Sequence, residues 1–151
     1  MNKLKRKGLF GRLSALAVSA AMLVALPSCG PSDQGEIAKT GKVMVIGKAN
    51  PTEVNFWKDV ESGVLDAGNE MGYEVKFQYA QNDNDYESQV GFISEAVRDN
   101  YDVIVIAPNS KDQLNEELQK AVDSGIEIIA INSTCDFDGI KCLIASSMNP
   151  S

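Results

Sequence analysis

The chain contains no histidine, which removes the commonest general base and with it any Ser-His or Cys-His nucleophile pair. No G-x-G-x-x-G, Walker or G-x-S-x-G segment occurs, and the carboxylates, though plentiful, form no recognisable acid–base pair. The expectation is a chain that is not an enzyme and uses no cofactor. Its three cysteines are the remaining reactive groups. Cys135 and Cys142 lie seven positions apart. In an oxidising compartment, a bridge between them would contribute roughly 2–2.5 kcal/mol on the chain-entropy model. Two free thiols, one pointing into the sheet, are the competing reading. Without histidine or a C-x-x-C pair, no metal site is expected. Asp83 and Asp85 share one loop and suit a solvated helix start better than a cation site.

The elements that position these groups begin with an export signal. Lys3, Lys5, Arg6, Lys7 and Arg12 precede a mainly apolar run from Leu13 to Leu26, and Pro27-Ser28-Cys29 follows. The run makes only ~21 Å of helix, short of the ~30 Å hydrocarbon core of a bilayer. Leu26-Pro27-Ser28-Cys29 resembles the bacterial lipobox. That resemblance implies a diacylglyceryl group on the Cys29 thiol, cleavage before it, and a mature protein lipid-anchored to the bacterial cell membrane, outside the cytoplasm. Residues 1–28 are thus expected to be a lipoprotein signal peptide, 29–41 a polar flexible tether, and 42–151 the folded body. Removing residues 1–28 takes away five basic residues and no acidic one, leaving nine basic against 21 acidic, a net charge of −12. That balance excludes nucleic acid as a natural partner.

Within the body, apolar periodicity switches repeatedly between strand and helix. Lys42 to Gly47 reads as a strand, and Trp57, Val60, Val64, Ala67 and Met71 carry the stripe of a helix ending at Gly72. Tyr73 to Tyr79 alternates as a second strand. Tyr86, Val90, Ile93 and Val97 mark a second helix, and Val103 to Ala107 is apolar throughout, as a strand covered on both faces requires. Ser110 and Gln113 have the spacing of a capping box opening a third helix that runs to Gly125. Ile126 to Ile131 and Lys141 to Ser146 supply strands four and five. Three successive βα units predict an α/β fold: an open parallel sheet with helices on both faces. Ligands bind such sheets beyond the strand C-termini, which here means loops 48–55, 81–84, 108–110 and 132–138.

Several segments together carry a family resemblance. Asn55-Phe56-Trp57 leading Val60 to Gly63, Gln89 in the second helix, Asp102 to Asn109 (DVIVIAPN) and Gly125 to Ser133 (GIEIIAINS) resemble the first lobe of type I periplasmic sugar-binding proteins. These are the ribose- and galactose-binding relatives that share the fold of LacI-type effector domains. The resemblance implies the Rossmann-like lobe of a solute-binding lipoprotein that captures a sugar or similar small polar ligand by hinge closure of two lobes and presents it to an ABC permease. The alternative is a sensing lipoprotein that feeds a receptor kinase or chemoreceptor. The resemblance also implies a second lobe of similar size, absent here as in a truncated chain. It places Phe56 and Trp57 in the cleft, where an aromatic face packs against sugar C–H groups, and assigns polar contacts to Asn55, Asn109, Asn132, Ser133 and Asn149. At Asn132 the family usually carries an aspartate. An amide there can donate as well as accept but lacks charge assistance, which departs from simple ribose-like specificity.

Overall fold

The computed structural model describes residues 40–145. Five strands, β1 (Gly41–Gly47), β2 (Tyr73–Tyr79), β3 (Val103–Ile106), β4 (Glu127–Ile131) and β5 (Ile140–Ile144), form one sheet in the order β2-β1-β3-β4-β5. Every pairing is parallel. The helices α1 (Asn55–Met71), α2 (Tyr86–Arg98) and α3 (Asn115–Asp123) connect the first four strands. The open parallel α/β architecture is thus the one expected.

Side-chain parity shows how the helices divide. Met44, Ile46, Ile104, Ile106 and Ile128 point to one face, where they form a buried core with Ile93 and Ala96 of α2 and Leu118 and Ala121 of α3. Each such fully buried aliphatic side chain contributes about 1.5–3 kcal/mol. On the other face, Val43, Val45 and Val75 meet α1 through Val64, Ala67 and Gly68. Only Trp57 and Gly68 of α1 are themselves buried. Ala67 and Met71 of its expected apolar stripe are exposed, because α1 sits over the β1–β2 edge and no described helix covers the adjoining part of that face.

The closest approach is at Gly68. A Cβ there would lie 2.3 Å from Val75 Cγ2 and 3.0 Å from Val75 Cβ. One turn later Gly72 ends the helix at φ 77°, its N–H donating to the Gly68 carbonyl, and β2 starts at the next residue. Asp85 opens α2: its carboxylate accepts the N–H groups of Ser88 at 3.1 Å and Gln81 at 2.9 Å. Those bonds, that of Gln81 first, hold its carboxyl below the usual range. The helix-start reading of this acidic loop therefore describes Asp85.

The third helix departs from expectation. Ser110 Oγ accepts the Gln113 N–H at 3.2 Å, yet α3 begins only at Asn115. The bond closes a local turn, which is followed by Asn115 N–H donating to the Asp112 carbonyl. A serine side chain can support either arrangement, and here the turn prevails as Leu114 is drawn fully into the core.

Among the described residues, the two cysteines are free, Cys135 buried and Cys142 exposed. A register shift in the β4–β5 ladder pairs Cys142 with Ile129, on the α1 face, whereas Cys135 belongs to the core on the α2–α3 face. The sheet lies between the two thiols, so the disulfide reading gives way to the free-thiol one. Burial also raises the Cys135 thiol pKa, with the nearby Asp136 charge adding to the effect.

Two outcomes follow from this packing. Gly68→Ala should destabilise the domain by about 1–3 kcal/mol in urea unfolding despite a helix-propensity gain of up to ~1 kcal/mol, because Val75 is stiff and cannot yield. An unchanged or higher midpoint would refute the close α1–β2 approach. Asp85→Ala should lower stability by about 0.5–2 kcal/mol at neutral pH. Since the folded carboxyl has the lower pKa, its contribution is complete above about pH 4 and disappears as pH falls through the folded value. The difference between parent and variant should therefore shrink at pH 3; a constant difference would assign the loss to something other than the carboxylate.

Candidate functional site

The chain reverses direction across the sheet between β1 and β3: α1 leads outward to β2, and α2 brings the chain back over β1 to β3. Loops from the two strands diverge to opposite faces at this switch point, opening a crevice beyond their C-termini. Gln89 of α2, fully buried, lies beneath the crevice. Its Nε2 donates to the Ala107 carbonyl at 2.8 Å and the Gly47 carbonyl at 3.4 Å, and its Oε1 accepts the Asn109 N–H at 2.9 Å. Gln89 has no assigned role in the sequence alone, where its one signal is a polar side chain one turn before Ile93 on a core-facing stripe.

Asn109 extends the connection. Its Nδ2 donates to the Asn82 carbonyl at 2.9 Å and the Lys48 carbonyl at 3.3 Å, so one side chain ties the loops after β1 and β2. Both partners are carbonyls, which fixes the amide's orientation. Its Oδ1 remains buried without a partner among the described residues. On the β4 side, Ser133 Oγ donates to the Pro108 carbonyl at 3.2 Å. Asn132 adopts φ 62°, a left-handed conformation that asparagine tolerates, and its N–H donates to the Ile144 carbonyl. Asn132 thus makes the turn after β4 while its side chain stays exposed.

The two aromatics occupy different environments. Trp57 is 4% exposed and belongs to the core, whereas Phe56 is 54% exposed. Their rings meet edge to face, with centroids 5.0 Å apart and planes at 81°. Trp57 also lies against Gly47, where a Cβ would come within 3.2 Å of its Cε3. The placement of both rings in the cleft is therefore corrected: Trp57 supports, and Phe56 alone presents an open face. Phe56 and Asn132 line the same hollow of about 630 Å³ with Val60, Val64, Val105 and Ile131. Apart from its rim, that hollow is the apolar sheet face beside α1. Asn55 lines a separate polar hollow with Thr52, Lys58 and Glu61.

The structure thus brings Phe56 and Asn132 together, uses Asn109 and Ser133 to tie the rim loops, and sets Asn55 apart. Asn149 and Cys29 lie outside the described residues. Among the described residues, no three His, Cys, Asp or Glu side chains are grouped to hold a metal ion. The rim offers amides, a hydroxyl, carbonyls and one aromatic face, which can bind a polar molecule with an apolar side.

Comparison with known proteins gives a consistent result. The periplasmic binding protein domain family matches residues 45–146. The chain is 28% identical over 122 residues to the fructose import binding protein FruE of Bifidobacterium longum, a match spanning 81% of this chain and 37% of that protein. It is 30% identical over 125 residues to the multiple sugar-binding periplasmic receptor ChvE of Rhizobium radiobacter, spanning 82% of this chain and 32% of the receptor. Among solved structures, a carbohydrate transporter solute-binding protein from Agrobacterium radiobacter, in complex with D-arabinose, superposes with a TM-score of 0.64 at 27% identity, covering 71% of this chain and 35% of that one. A solute-binding protein from Agrobacterium vitis bound to α-D-tagatopyranose gives a TM-score of 0.63 at 25% identity, covering 71% and 38%. The chain therefore spans about a third of the length of these relatives. By the match over residues 45–146 and the five-stranded parallel sheet that they build, this chain belongs to the periplasmic binding protein family.

Proposed function

We propose that this chain is the ligand-facing first lobe of a non-enzymatic, extracytoplasmic sugar-binding lipoprotein that serves an ABC importer. The observation that carries the reading is the divided aromatic pair. Trp57 is buried against Gly47, and this holds Phe56 open at the rim beside the neutral amide of Asn132. A sugar ring has apolar C–H faces and a belt of hydroxyls. Phe56 suits the former, and Asn132 suits the latter as both donor and acceptor. The fructose importer component and the arabinose and tagatose complexes among the relatives support a monosaccharide as the ligand class. In the whole protein a second lobe closes over the ligand about a hinge, and contacts made only on closure supply most of the affinity. Cys29, through its lipobox-like setting, anchors the assembly to the membrane beside its permease.

A single lobe should bind weakly, so the appropriate measurement is a chemical-shift titration of the ¹⁵N-labelled chain with D-fructose, D-arabinose and D-tagatose at millimolar concentrations. Saturable shifts at Phe56, Asn109 and Asn132 are expected, lost in Phe56→Ala with the fold retained. Trp57→Ala should instead destabilise the domain by about 3–5 kcal/mol, as loss of a core ring does. Absence of any shift with all three sugars, from a folded chain, would remove the sugar reading. In a bacterial host the parent should incorporate an alkyne fatty acid and partition with membranes, while Cys29→Ala should do neither; labelling that persists in the variant would place the lipid elsewhere.

A further inference from the structure

The loops that rim the site leave β1, β2 and β3 as separate segments: the ladder ends with the Ala80 N–H donating to the Gly47 carbonyl and the Ala107 N–H to the Ile46 carbonyl, and beyond those bonds no backbone hydrogen bond among the described residues joins one of these loops to another. Two amide side chains make that connection. Gln89 reaches up from α2 and engages the last carbonyl of β1, at Gly47, the carbonyl just past β3, at Ala107, and the N–H of Asn109. Asn109, so held, carries a side chain that engages the loop carbonyls of Lys48 and Asn82. We infer that Gln89 is a positioning residue for the ligand site: through Asn109 it holds the loops after β1, β2 and β3 as one rigid rim.

Three observations favour this over a packing role. Gln89 is the only buried polar side chain among the described residues, and it stands on a helix whose docking is already secured by Ile93 and Ala96. Its three bonds all run to the C-terminal ends of strands, the side of the sheet where ligands bind. They are also directional, so a side chain of equal volume without donors leaves the Ala107 carbonyl and the Asn109 N–H short of a partner at a buried place. Asn109 would then lose the anchor that aims it at Lys48 and Asn82. The loop-locking stands on geometry alone; only its consequence for sugar affinity rests on the function proposed above.

Hydrogen exchange resolved by residue in the full chain tests it. Gln89→Met keeps the side-chain volume and removes the amide. Exchange should accelerate by about tenfold or more at Asn109 and in loops 48–54 and 81–84, beyond any change at Ile104 and Ile106. Asn109→Ala, which leaves the core untouched, should loosen the same two loops while Ala107 stays protected. This second variant decides the matter if Gln89→Met does not fold. Uniform acceleration over the whole domain in Gln89→Met, or loops 48–54 and 81–84 unchanged in Asn109→Ala, would overturn the inference. Titration of the same samples with D-fructose, D-arabinose and D-tagatose separates the two readings. If the parent responds and Gln89→Met binds as tightly, Gln89 does not position the site. If the parent shows the expected exchange pattern but no sugar response, the locked rim stands and the sugar reading falls.

Discussion

A parallel strand cannot be joined to its neighbour by a tight turn, so the chain has to cross over the sheet after each strand. The rest of this structure follows from that constraint. The first crossover leads outward from β1 to β2 and places α1 on one face. The second must return past β1 to reach β3, and the same handedness then puts α2 on the opposite face. The reversal produces a crevice at the ends of β1 and β3, where the Ala107 carbonyl and the Asn109 N–H lie past the last ladder bond. Gln89 bonds to both.

The same constraint explains why the two faces differ. Two helices pack over Met44, Ile46, Ile104, Ile106 and Ile128, and these residues are fully shielded. Among the described residues, one helix lies on the other face, over β1 and β2, and Val105, Ile131 and Ile144 beside it line an open hollow. That asymmetry gives Phe56 its exposure. Its neighbour Trp57 turns towards Gly47 and β2, while Phe56 sits one position round the helix, at the mouth of the hollow. The chemistry available at the rim is hydrogen bonding and ring packing.

Much of the architecture was legible in the residues. The unalternating VIVIA of β3 announced a central parallel strand, the glycine at position 72 marked the end of α1, and Asp85 stood where α2 needed a cap. These are local signals that report on a few neighbours along the chain. Other features depended on distant partners and were read differently. Ser110 and Gln113 have capping-box spacing, but burial of Leu114 delayed the helix. Cys135 and Cys142 are close in sequence, but a shift in the β4–β5 register put the sheet between them. Phe56 and Trp57 are adjacent and both aromatic; helical periodicity put Trp57 on the apolar stripe, and packing against Gly47 buries it while Phe56 stays open.

By itself, the sequence determined the class of fold and the kind of chemistry. Apolar periodicity and turn residues specify strands and helices wherever they occur, and a chain without histidine offers amides, hydroxyls, carboxylates and aromatic rings as its polar and stacking groups. Tertiary structure decided which polar residues act together. Gln89, Asn109, Lys48 and Asn82 are spread over 61 positions of the chain and converge only because the switch between β1 and β3 places their loops side by side. A hydrogen bond needs its partners within about 3 Å in a set direction, and no periodicity along a chain encodes that meeting.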